Sequence, residues 1–136
     1  MKPRRMCRQS VLCGIADKLF CEWQNTKAAT TSRRKSWPIL LSQDLIQKGF
    51  NTEIIEDCLP GRTTNIDDTQ DGIHLNGAKV LKSSLLSHSP IDLVILMLGT
   101  NDLKFRFQRT AENIAEGIKE LIQIVLDTNS GSGGWH

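Results

Sequence analysis

From residue 36 onward, apolar and polar positions follow two alternating rhythms. Ser36, with Pro38 in a first turn where a missing N–H costs nothing, predicts a helix start. Trp37, Leu41 and Leu45 then recur every four residues, and Gly49 supplies the stop. Thr52-Glu53-Ile54-Ile55-Glu56 predicts a short strand, ended by Pro60-Gly61. A second helix is expected from about Asn76 to His88, with Ala78, Leu81 and Leu85 on one face. Ile91–Leu98 is nearly all apolar and rich in branched residues, as a parallel strand covered on both faces should be. Gly99-Thr100-Asn101-Asp102 closes it as a loop. A third helix has Thr110 as N-cap, Glu112 in its first turn, and Ile114, Ile118, Leu121, Ile122 and Val125 as its apolar stripe.

With Val11-Leu12-Cys13 counted first, the order is strand, helix, strand, helix, strand, helix. Such alternation predicts an α/β fold: an open parallel sheet with helices on both faces. Ligands in such sheets bind at the carboxyl ends of the strands. Leu59–Thr64 and Gly99–Asp102 both lie there, which makes them functional candidates. Residues 24–35 follow neither rhythm and read as a long polar loop, and Asn129–Gly134 reads as a flexible exit.

Composition narrows the setting. At 136 residues, 39% hydrophobic and 24% charged, the chain has the length and balance of one globular domain. No apolar run is long enough to span a bilayer, and no signal-peptide h-region follows the basic N-terminus, so a cytoplasmic protein is expected. The net charge of +2 hides an asymmetry: residues 1–37 carry nine Lys/Arg against two acids, residues 38–136 eight against thirteen. The basic arm is not interleaved with aromatics and matches no nucleic-acid module, so no nucleic-acid partner is expected. Cys7, Cys13, Cys21 and Cys58 form no Cys-x-x-Cys pair, and reduced thiols are expected. His74, His88 and His136 lack ligand spacing, so neither metal nor cofactor is expected.

The two loops carry the candidate chemistry. The Asn101 amide, just past a buried strand, can aim an N–H into a cleft at a developing oxyanion. Gly61 lets the backbone approach a ligand closely and offers its own N–H as a second donor. Taken singly, each segment is also an ordinary turn.

Together they resemble the SGNH (GDSL-type) hydrolase superfamily, more closely its arylesterase-like branch. Gly61-Arg62-Thr63-Thr64 is similar to the family's second block. Asp92–Asp102, with the strand leading in, is similar to its third. Leu75-Asn76-Gly77 and the Trp37-Pro38 helix start also look like that branch. The resemblance covers about residues 36–127. It implies Gly61 N–H and the Asn101 side chain as oxyanion-hole donors, and a small-molecule ester as substrate. It also implies the first part of a three-layer, flavodoxin-like sandwich, a single incomplete domain over 1–136 whose C-terminal strands and helix are missing. An uncovered edge at Ile91–Leu98 then predicts association between copies.

The family's first block, Gly-Asp-Ser-Leu after strand one, is not matched. Asp17 and Leu19 flank the expected serine, but Lys18 occupies its place, and an ordinary protonated amine is no nucleophile. Ser10 precedes strand one, at the wrong end of the sheet. We hypothesise that about residues 14–34 are read out of frame, because codons for Gly14-Ile15-Ala16 can contain GAT-AGC, Asp-Ser, in another frame. The nucleotide sequence tests this; an alternative frame without a Gly-Asp-Ser-Leu-like peptide would sink it. Asp71-Gly72-Ile73-His74 spells the family's Asp-x-x-His block, yet it stands between the second and third blocks, where a solvated loop is expected. The expectation is therefore an esterase-derived chain that is inactive as it stands. The alternatives are a non-catalytic module binding an anion or acyl ligand, and a functionless gene remnant.

Overall fold

The computed structural model describes the backbone of residues 9–16, and residues 37–131 with their side chains. Three strands form one parallel sheet: β1 (Gln9–Ala16), β2 (Thr52–Cys58) and β3 (Leu93–Val94), in the spatial order β2-β1-β3. Helix α1 (Trp37–Gln47) lies between β1 and β2 in sequence, α2 (Gly77–Ser87) between β2 and β3, and α3 (Ala111–Thr128) after β3. Parallel neighbours require such crossovers, because a tight turn can join only antiparallel strands. The chain is thus a partial α/β sandwich, as its alternating rhythms predict.

The helix boundaries follow their caps. The Asn76 side chain accepts from Ala78 N–H at 3.0 Å and starts α2. Thr110 accepts from Asn113 N–H while the Asn113 side chain accepts from Thr110 N–H, a reciprocal capping box at the start of α3. Asn129, in the left-handed region, ends it.

The core is Leu81 and Leu85 of α2, Leu121 and Val125 of α3, and Ile91, with Ile55, Val94, Leu96, Leu98 and Ile118 packed around them. Three of the five expected α3 stripe positions, Ile118, Leu121 and Val125, join it, while Ile114 is half-buried beside Gly99. Ile122 is 48% exposed. In α1 only Pro38 is buried; Trp37, Leu41 and Leu45 are half-buried.

Two strand expectations need correction. β1 does not stop at Cys13 but runs to Ala16, with a register irregularity between Cys13 and Ala16. Ser10, expected to precede it, pairs with Glu53 inside it, still near its amino end. Conversely, among the described residues the ladder pairing of the apolar run Ile91–Leu98 covers Leu93–Val94, against Val11 and Leu12, with a further single bridge position at Met97. At its start, Ile91 N–H donates to Ser130 O at 2.8 Å, beyond α3, instead of to a strand. The cysteine expectation is also corrected: Cys58, at the end of β2, is disulfide-bonded. Sequence spacing such as Cys-x-x-Cys detects local pairs only, whereas folding brings distant positions together. None of the helices among the described residues is long and apolar enough to cross a membrane.

Candidate functional site

The loops after β2 and β3 meet. In the first, Gly61 has φ +83, a backbone that side chains other than glycine's rarely tolerate. The next residues of this loop are fastened to the start of α2: Thr63 N–H donates to Leu75 O at 2.9 Å, Gly77 N–H to Thr63 O at 3.1 Å, and Ala78 N–H to Thr64 O at 2.9 Å. That approach requires glycine at 77, since a Cβ there would stand 2.8 Å from Thr63 O. The Arg62 side chain is buried and donates to the backbone oxygen and Oδ1 of Asp57, while Ser84 Oγ donates to Asp57 Oδ2. These bonds tie the end of β2 to its loop and to α2.

The second loop turns through a single 3-10 turn, Asn101–Leu103. Asp102 is fully buried, and its carboxylate accepts from the N–H and the Oγ1 of Thr64, with the Arg109 guanidinium 3.4 Å away. Adjacent to it, Asn101 Nδ2 donates to Arg62 O at 3.0 Å. Both residues nominated from the sequence, Gly61 and Asn101, therefore belong to one assembly, in which the Asn101 amide is anchored on the residue that follows Gly61. The Gly61 N–H makes no hydrogen bond among the described residues. Chemically, a backbone N–H and a fixed amide on touching loops are each able to donate to an electron-rich oxygen. Lys18, at the place of the family's nucleophile, lies outside the described residues, as do residues 17–36 as a whole.

A charged cluster borders this assembly, and nothing in the local sequence pattern signals it. Lys104 Nζ lies 3.2 Å from Asp68 Oδ2 and 3.0 Å from Asp71 Oδ2, and Arg106 pairs with the same two oxygens. Asp68 is fully buried and also accepts from the Gln70 and Asp71 N–H groups. Burial alone would raise its pKa. The bonds from Arg106, the Asp71 N–H, Lys104 and the Gln70 N–H outweigh it and hold the carboxyl well below the usual carboxylate range. Lys104 and Arg106 lower Asp71 likewise. Lys104 Nζ also comes within 3.8 Å of the point a Gly61 Cβ would occupy, so the cluster abuts the candidate donor.

The Asp71-x-x-His74 sequence forms no dyad. Asp71 is taken by Lys104 and Arg106, and His74 sits exposed in the 3-10 turn Ile73–Leu75. His88 ends α2 with its Nδ1 2.9 Å from Ser84 O, a helix-terminal role. Among the described residues, His, Cys, Asp and Glu side chains form no group able to hold a metal ion.

No protein-family model and no curated protein sequence matches the chain. Solved structures do. The aryl esterase of M. smegmatis superposes with a TM-score of 0.74 at 42% identity, over 92% of this chain and 58% of that one. A carbohydrate acetylesterase from Sinorhizobium meliloti gives a TM-score of 0.75 at 38% identity, over 93% of this chain and again 58% of that one. This chain thus spans a little under three fifths of the length of these esterases. On strand order, crossover helices and the identities across nearly its whole length, the chain belongs to the SGNH-type hydrolase family.

Proposed function

We propose that the chain carries an SGNH-type acyl-ester site reduced to its oxyanion-binding half, with Gly61 N–H and the Asn101 amide as donors and with little or no turnover of its own. The observation supporting this most directly is the Asn101 amide anchored on Arg62 O, one residue from Gly61. Preset donors stabilise a tetrahedral intermediate because they need no reorganisation as charge develops, and losing one typically costs about 100- to 1000-fold in rate. They do not attack the carbonyl, however. Acyl transfer needs a nucleophile and a base within hydrogen-bond reach, and the family's Ser position holds Lys18 while Asp71 is committed to Lys104 and Arg106.

Hydrolysis of p-nitrophenyl acetate by the whole chain tests the reading. The expected rate is at or near that of the uncatalysed reaction, unchanged by Lys18→Ala and by His74→Ala. Turnover that survives Lys18→Ala and is lost with His74→Ala would overturn it, since it would make Asp71 and His74 a working pair. Saturable binding of an acyl ligand without turnover would instead favour a purely binding role for the same loops, a reading that the nearness of Lys104 to Gly61 recommends.

A further inference from the structure

The segment that follows the Asn101 turn lines an open groove of about 250 Å³, formed by Leu103, Lys104, Phe105, Gln108 and Arg109. Its size suits a ligand smaller than those held by most small-molecule sites. Two features set its chemistry. The lining includes two cations and no carboxylate. It also bears two apolar side chains that the fold leaves in water, Phe105 at 89% and Leu103 at 66% exposure. We propose that this groove binds a small carboxylate with an apolar body, the carboxylate on Lys104 and the body against Leu103 and Phe105.

Lys104 is the cation suited to the task. Arg109 is spent internally, on Asn65 Oδ1, Asp102 and the Asn113 carbonyl. An ammonium has three N–H donors, and Asp68 and Asp71 take two from Lys104. Arg106 pairs with both of those carboxylates as well, so the four charges balance, and what Lys104 offers a ligand is its remaining N–H. The side chain is held in place by its buried partner Asp68 and remains 25% exposed. Gln108, on the same wall, keeps a left-handed backbone at φ 50, strained for a residue with a side chain, and its Nε2 donates to Phe105 O at 2.7 Å. The wall is thus preset rather than loose.

The assignment of a carboxylate rests on the proposed reading in one respect. Lys104 Nζ lies beside Gly61, so a bound carboxylate would sit next to the candidate oxyanion donors, as the acid half of a cleaved ester would. Binding can be read without turnover, which separates the two ideas. Benzoate is the probe, titrated into the 15N-labelled 136-residue chain and followed by amide chemical shifts. Saturable shifts are expected at Leu103–Arg109 and at Gly61, with benzyl alcohol at least about tenfold weaker because it lacks the charge. Lys104→Met should weaken benzoate by about tenfold and Lys104→Arg should largely keep it. Phe105→Ala, at a side chain too exposed to support the fold, should weaken it several-fold. Equal affinity for benzoate and benzyl alcohol, shifts confined to other segments, or indifference to Phe105→Ala would overturn the proposal. Ester turnover without benzoate binding would sink it too, while leaving the esterase reading intact.

Discussion

Asn101 and Asp102 are neighbours with different work, and the difference can be measured. Asp102 is fully buried and satisfies two donors of Thr64, a residue 38 positions away. Asp102→Ala strands the Thr64 N–H away from water, leaves its Oγ1 only Asn65 Oδ1, removes the carboxylate beside Arg109, and should cost about 3 kcal/mol of stability. Asn101 is only partly buried, and its Nδ2 donates to a backbone oxygen. Asn101→Ala should therefore cost about 1 kcal/mol. Urea unfolding of both variants checks the contrast; equal losses would mean that Asn101 is chiefly structural and would weaken its assignment as a donor. Gly61 and Asn101 can be found in the sequence because each stands in a short recognisable block that follows an apolar, strand-like run. Lys104 cannot, since its partners Asp68 and Asp71 are 36 and 33 positions away and no periodicity links them.

At the scale of elements, the helices are readable to within a residue or two because their caps are local: Asn76, Thr110 and Asn129 act within one turn of themselves. β3 is not, because how much of an apolar run pairs depends on its neighbours, here β1 and the segment after α3. The same non-local logic governs Gly117. In an exposed helix, Gly→Ala stabilises by about 1 kcal/mol. On α3, a Cβ at 117 would collide with Thr64 Oγ1 and stand 2.8 Å from Asn65 Oδ1, against the loop that carries the site. The collision should win, with Gly117→Ala lowering stability by about 1–3 kcal/mol in thermal or urea unfolding. A gain in stability would show that α3 and the Thr64 loop can separate freely. The Lys104/Arg106–Asp68/Asp71 cluster joins the segment after β3 to the loop after β2, and its contribution depends on pH. Folding lowers the Asp68 and Asp71 pKa values, so their stabilisation is complete above the unfolded carboxylate range, about pH 4, and is lost as pH falls through the lower folded values. Urea midpoints should hold from pH 7 to about 5 and drop steeply below pH 4. Asp68→Asn should lower the midpoint at pH 7 and flatten that acid limb; an unchanged limb would remove the cluster from the account.

For the molecule as a whole, the β2-β1-β3 order leaves β3 without a second neighbour among the described residues, and the helix beside it is not fully covered either. Leu93 is 47% exposed, Ile122 48% and Leu126 46%, and with Val94, Leu96 and Val125 they border a shallow apolar depression of about 180 Å³. In the sequence, Leu93 and Ile122 belong to runs that read as fully covered, so the exposed face is a property of the assembled sheet and not of either segment. Contiguous apolar surface beside a strand edge that has no second neighbour among the described residues favours association, since a second copy can supply both apolar cover and backbone partners. We therefore propose that the 136-residue chain self-associates through β3 and the Ile122/Leu126 flank of α3. Sedimentation velocity should show a mass that rises with concentration. The double variant Ile122→Lys with Leu126→Lys, which places two charges on side chains already half in water, should return the chain toward monomer without unfolding it. Far-ultraviolet circular dichroism checks that the helices persist. A monodisperse monomer for the unaltered chain at high concentration, or association indifferent to the two lysines, would place the contact elsewhere or remove it.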